Sequence, residues 1–517
     1  MNNNLFMDAL KQSTNVKFTE NGGVAHKSTN SSVYDMFAFG GAYRKRSDAD
    51  CIVLFSNAYN EDPTYAVKCL FYLRDIRGGQ GERRFFRVCF NWLCKNHPEH
   101  ARKLIGFLPE YGRYDDLWYT TEGTELWRNT VAIVEDQLAL DLDSKTPSLL
   151  AKWLPSENTS SYETQKMAKK LVKALGMSNK EYRKALSTLR ERIKVVEKLM
   201  SENRWDEIEF DKIPSKAGLI YKNAFARRDM IAKKYENFIK SEKTTVNAKA
   251  LYPYEIVAKV TSQLKYSYWD DDDSSIKMSE LDRQTVEKYW NNLPNYFEGG
   301  KNQSILCVVD TSGSMTGSQA SAPINVAVSL GMYAGERCTG PFKDHYISFS
   351  SRPQLIHIEG VDFADKVKRI YDTNLCENTN LSAVFDLLKD TALSTPGAAA
   401  DLPDTIVVIS DMEIDSGAAG YSWRAQDAFR GWTTETAATE MEAIRQDWAN
   451  HGLKLPKLVY WNVESRNTNK FLDKGSNVTC VSGCSPVIFK SVLTGKTAYD
   501  LMMEVLLSKR YEAIKVT

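Results

Sequence analysis

At 517 residues, with 43% hydrophobic and 26% charged residues, the chain has ordinary globular composition and room for two or three domains. That excludes a low-complexity or disulfide-stapled scaffold, and nine scattered cysteines are expected to be free thiols in a reducing compartment. The formal net charge is only +1; the opening MNNNLFMDALKQSTN has neither a basic leader nor an apolar segment, and the longest aliphatic runs, 305–309 and 406–409, cannot span a bilayer. The expectation is a cytoplasmic protein without membrane contact.

Residues 1–60 are expected to pack as an N-terminal segment on a helical domain over 61–265. Within it, 65–77, 82–97 and 98–108 space apolar residues three and four apart, separated by Gly78, Gly79, Gly81 and Pro98, as in short antiparallel helices. Residues 180–200 continue the array, with Leu186, Leu189, Ile193, Val196 and Leu199 on one face. GGQGERR at 78–84 lacks the Gly-Lys-Ser/Thr ending of a phosphate loop and follows no strand. It therefore reads as an interhelical turn with exposed Arg83 and Arg84, which could hold backbone phosphates. Cys89, Cys94, His97 and His100 invite a zinc reading, but the cysteines point to different helix faces and Pro98 interrupts the chain. Buried cysteines with surface histidines are expected instead.

Between 161 and 250 there are 22 Lys and Arg against 12 Asp and Glu, a surplus of ten that leaves the rest of the chain acidic. Solvated helix faces explain such a stretch; so does an electrostatic footprint for nucleic acid. On the second reading Lys169, Lys170, Arg183, Arg227, Arg228, Lys233 and Lys234 are phosphate contacts, while Tyr111, Tyr114 and Trp118 beside Arg113 could stack bases, although such residues more often fill a helix interface. Residues 266–300 read as a linker. A calcium loop begun in the run Asp270 to Asp273 would need Gly at 275 and Glu at 281, where Ser275 and Leu281 stand.

Beyond 300 the period changes. Apolar runs at 304–309, 346–349, 405–409 and 458–461 alternate with helical stretches at 321–336, 381–392 and 435–451. The fold class is therefore α plus α/β: a helical-repeat-like array followed by a doubly wound parallel sheet over 301–517. Ligands of such sheets sit beyond the carboxyl ends of the strands. Asp310, Ser312 and Ser314 follow one buried strand, Asp411 follows another, and Thr379 precedes a helix near 381. These oxygens suit a hard octahedral cation, magnesium first, with manganese or calcium as alternatives, although each motif alone can merely cap a helix. Neither half shows a general base beside a nucleophile, so no enzymatic activity is expected.

Asp310-x-Ser312-x-Ser314, Thr379 and Asp411 together resemble the metal-ion-dependent adhesion site (MIDAS) of von Willebrand factor A domains, over about residues 300–517. The resemblance implies that the serines and threonine touch the ion, the aspartates act mostly through water, and one position stays open for a partner's carboxylate. The family's usual Gly-x-Thr is Glu377-Asn378-Thr379 here. LRDIRGGQGERR (73–84), YGRYDDLW (111–118), AKWLPSENTSS (151–161), IPSKAGLIYKNAF (213–225) and LYPYEIV (251–257) resemble a largely uncharacterised family that joins a helical domain to a von Willebrand A-like domain. More distantly, the domain order with Arg74, Arg77 and 78–84 resembles the Ro autoantigen class. There, TROVE-type helical repeats close into a ring against a von Willebrand A domain and bind small non-coding and structured RNA. The expectation is a non-enzymatic RNA-binding scaffold of a ribonucleoprotein with a divalent-metal site. The alternative is an adaptor that captures a partner protein's carboxylate at the metal, without RNA.

Overall fold

The structure, a computed structural model, describes residues 16–18, 24–26, 28–264, 276–298, 304–317, 319–350, 352–373, 380–412, 440–466, 478–493 and 496–516. Helices of the first half start where the sequence supplies caps. Ser47 accepts from the Asp50 amide and Asp50 returns the bond to open Asp48–Glu61, while Asp62 caps Pro63–Arg74 with its proline in the first turn. Arg83–Asn96 follows the sharp turn at Gly81, whose φ of +67° favours glycine. The expected helix over 180–200 is two helices, Asn179–Arg192 and Val196–Ser201, split where Lys194 adopts φ +49°. Ile193, Val195 and Val196 crowd this point with β-branched side chains, which weakens a continuous helix.

The expected linker is also corrected. Glu280–Asn291 is a helix capped by Ser279, and its Val286, Tyr289 and Trp290 are buried at spacings of three and four. Trp290 packs on Phe363 with ring centroids 4.6 Å apart. The stretch looks polar because the opposite helix face is wet.

Val16–Phe18 (β1) and Val24–His26 (β2) form a separate antiparallel pair. The main sheet comprises Ile305–Asp310 (β3), His345–Phe349 (β4), Leu355–His357 (β5), Thr405–Ser410 (β6), Lys457–Asn462 (β7) and Val478–Ser482 (β8). Its order is β5-β4-β3-β6-β7-β8, with all neighbours parallel except the antiparallel edge strand β5. The four strands and three helical stretches expected of this half are present. β5 and β8 escape the sequence reading, the first because it is a three-residue edge with Leu355 exposed, the second because VTCVS mixes hydroxyls with apolar residues.

Successive residues of β3 face opposite ways, and both faces are covered. Leu306 and Val308 belong to one buried cluster with Phe37, Leu70, Phe86 and Tyr111 of the helical half. Cys307 and Val309 belong to a second with Val257, Val286 and Trp290. The change of element type at about 301 therefore crosses shared cores rather than a gap. Backbone contact reinforces this: a Cβ on Gly41 would lie 2.6 Å from the Ser482 carbonyl oxygen. Among the described residues no helix is long and apolar enough to cross a membrane, and every cysteine is a buried free thiol.

The C-terminal segment closes the assembly. Arg510 donates to fully buried Asp75 at 2.7 and 3.0 Å, and the Tyr511 hydroxyl donates to the same carboxylate at 3.0 Å. Asp75→Ala strands these donors against the helical half. It is expected to cost about 2–4 kcal/mol, read from the urea midpoint of unfolding followed by far-UV circular dichroism.

Candidate functional site

Two places in the fold gather the chemistry-bearing residues. The first is the sheet rim. Val309 pairs with Ile409, so Asp310 and Ser410 end adjacent parallel strands about 4.8 Å apart. These central strands lie where the strand order reverses, the place at which doubly wound sheets hold ligands. The Ser410 hydroxyl donates to Asp310 Oδ2 at 2.5 Å, and the Ser312 amide donates to Asp310 Oδ1 at 2.9 Å. Ser312 and Ser314 hold their hydroxyl oxygens 3.0 Å apart. Asp310 and Asp411 are both buried, and the chain turns away after Asp411 through Met412 at φ +65°. Burial, then the charge of Asp411, pushes the Asp310 carboxyl up to about 7, with the serine hydrogen bonds pulling the other way.

These groups fit a hard cation. Adjacent ligands of an octahedral magnesium at 2.0–2.1 Å lie roughly 2.9 Å apart, close to the observed serine spacing. Two buried carboxyls side by side also call for positive charge. One source comes from the protein: Arg466, just beyond β7, places Nε 3.4 Å from Asp411 Oδ2 and donates through Nη2 to the Ser314 carbonyl. Thr379 lies outside the described residues, as do Asp270 to Asp273. The helix that follows it, Leu381–Ser394, is capped by Asn380.

The second place is a cavity of about 1220 Å³ between the helical half and the sheet-bearing half. It is larger than the roughly 300–1,000 Å³ of clefts that bury small molecules. Twelve lysines and arginines line it against four glutamates. Beneath its wall, Asp115 and Asp116 pair with Arg74, Arg87 and Arg113. Arg83 is exposed at the cavity and forms no ion pair among the described residues; partial burial, then Arg113 and Arg87, hold its guanidinium below its ordinary range, with Asp115 partly offsetting them. Lys249, exposed at the cavity, likewise has no ion pair there. Lys152 is driven toward its neutral form by burial, and Arg113 lies 3.9 Å over the Trp153 ring. Tyr221, Tyr252, Tyr254 and Tyr296 supply further aromatic surface.

Of the residues expected to meet phosphate, Arg77, Arg83, Arg84, Arg113 and Arg183 line this cavity. Arg74 lines it too, but its buried guanidinium is engaged by Asp116 at 2.7 Å. Arg227 and Arg228 line an adjoining hollow that shares Glu197, Ser201 and Tyr221, with Arg228 4.9 Å over Trp205. Lys169, Lys170, Lys233 and Lys234 lie elsewhere: Lys170 pairs with Glu122 at 2.7 Å, and Lys234 donates to the Asp206 and Ile208 carbonyls. The expected base-stacking role of Tyr111 and Trp118 is corrected, since both are core residues at 2% and 1% exposure. Tyr114 is partly buried and packs against the same core, so the aromatic face beside Arg113 is that of Trp153. Sequence reading missed Arg44, Lys152, Arg190, Lys198, Lys216 and Lys249, although Lys152 and Lys216 stand inside motifs it singled out. All five of those motifs, scattered from 73 to 257, contribute residues to this one cavity.

Residues 19–107 and 147–297 match a domain of unknown function, DUF2828, and 304–514 match another, DUF7788. An uncharacterized protein, L728 of Acanthamoeba polyphaga mimivirus, is 28% identical over 532 residues, covering 95% of this chain and 86% of that protein. The crystal structure of the Deinococcus radiodurans Ro (RSR) protein aligns over 95% of both chains at 12% identity, with a TM-score of 0.38.

The rim makes a pH prediction. The Asp310 carboxyl is raised above its unfolded range, so the stability it contributes is fully present below about pH 4 and is lost as the pH rises to about 7. In metal-free protein, Asp310→Asn should remove this part of the decline; thermal melts from pH 4 to 8, compared between the two proteins, check it.

Proposed function

We propose that the protein is a non-enzymatic RNA-binding scaffold in which the basic cavity holds unpaired segments of a structured RNA. The observation that carries this reading is the excess of lysines and arginines over glutamates on the walls, set among aromatic faces in a cavity too large for a small anion alone. Phosphates would neutralise Arg83, Arg77 and Lys249 and release counterions, and exposed bases would stack on Trp153 and the cavity tyrosines. Convergence of five separate motifs on the same walls supports the cavity over the outer helix faces as the binding surface.

The reading extends to the rim, where Asp310, Ser312, Ser314 and Asp411, with Thr379, would hold a magnesium-class ion. The ion would supply a fixed positive charge between the two carboxylates, a von Willebrand A-like arrangement suited to intramolecular or partner contacts. Arg466, which reaches from a neighbouring loop to Asp411 and the Ser314 carbonyl, would compete with the ion for this rim.

RNA should be retained in a filter assay with affinity falling steeply as salt rises. Arg83→Ala and Lys249→Ala should each weaken binding across sequences and lower the log–log salt slope by about 0.7. Salt-independent retention, or none, contradicts the reading. At the rim, magnesium should raise the melting temperature of the wild type but not of Asp310→Ala. Arg466→Ala should tighten magnesium binding, measured calorimetrically, by removing a competing cation.

A further inference from the structure

His97 and His100 flank Pro98 at the corner between Arg83–Asn96 and Pro98–Leu104. Glu99 Oε1 lies 3.9 Å from His97 Nδ1 and also 3.9 Å from His100 Nε2. One ligand atom from each of the three residues falls within 4.8 Å of the others. The imidazoles are nearly parallel, 14° apart at a centroid separation of 6.0 Å, and the His97 ring packs 4.6 Å from Tyr59 and 5.6 Å from Trp92. His100 Nδ1 is hydrogen-bonded to the Tyr59 hydroxyl, itself carried on the neighbouring helix Asp48–Glu61. With Nδ1–H donating to that oxygen, Nε2 keeps its lone pair facing Glu99, the arrangement by which an outer partner orients a ligating histidine.

We propose that His97, Glu99 and His100 form a zinc-class metal site, distinct from the sheet rim. Two imidazoles and one carboxylate suit a borderline cation such as zinc, whereas magnesium, which prefers oxygen donors, would gain only the one carboxylate. Tetrahedral ligands at 2.0–2.1 Å stand roughly 3.3 Å apart. Glu99, whose side chain is 58% exposed, can contribute to the closure required, the rest falling to the histidine rings. The fourth position takes water. The nearby cysteines are not ligands: Cys89 and Cys94 are buried, neither groups with these three residues, and Cys89 Sγ points to the Cys51 carbonyl at 3.4 Å. The ion would staple the end of one helix to the start of the next, against Tyr59.

The test uses the full chain, stripped with chelator and held in excess magnesium. Zinc titrated calorimetrically should bind in the micromolar range without displacement by magnesium, and cobalt should give visible absorption lacking a thiolate charge-transfer band. His97→Ala and His100→Ala should abolish the zinc heat. Glu99→Gln, at an exposed position where folding is not in question, should weaken it, and Tyr59→Phe should weaken it roughly tenfold. Zinc binding unchanged in Glu99→Gln and in the double histidine variant, or a cobalt spectrum dominated by thiolate, overturns the proposal.

Discussion

Burial of both faces of one largely parallel sheet, by helices from both halves of the chain, constrains everything else in the molecule. β3 divides its side chains between two cores, one closed by the helices around Phe37, Leu70 and Phe86, the other by those around Val257 and Trp290. Different helices of the first half therefore cover the two faces, and a large cavity lies between the halves. The rim at the carboxyl ends of β3 and β6 is fixed by the register of the same strands.

The two candidate sites are mechanically joined. The loop after β7 that carries Arg466 is held to the turn at 40–46: Ser465 donates its amide to the Ala42 carbonyl at 3.0 Å, Lys45 pairs with Glu464 at 2.7 Å, and Arg46 donates to the Arg466 carbonyl. In the same turn Arg44 pairs with Glu82 at the cavity wall and approaches the Tyr254 ring at 5.8 Å. Arg466 at the rim is thus connected through directly bonded residues to Arg44 at the cavity wall. Gly41 makes this possible, since a side chain there would push the turn off the Ser482 carbonyl.

The architecture was legible because its strongest signals are local. Continuous apolar runs such as 305–309 and 405–409 announce doubly covered strands, and Asp310 and Asp411 stand where those runs end. Glu280–Asn291 and β8 were harder, because half-buried elements carry a polar face that dilutes the pattern. Charge counting located a basic stretch but not the surface that uses it. Lys169 and Lys233 contribute to the count on faces away from the cavity, whereas Arg83, Lys152 and Lys249 converge only through tertiary packing. No local pattern around Arg466 signals that it reaches Asp411, 55 residues earlier in the chain.

On the proposed function, nucleic acid occupies the cavity rather than the outer helix faces. Ultraviolet cross-linking of bound RNA, followed by mass spectrometry of the attached peptides, distinguishes the two. Adducts at Trp153, Tyr252 or Tyr254 and in the peptides holding Arg83 and Lys249 are predicted. Adducts confined to the peptides around Lys169 and Lys233, with the cavity walls unmarked, would contradict it.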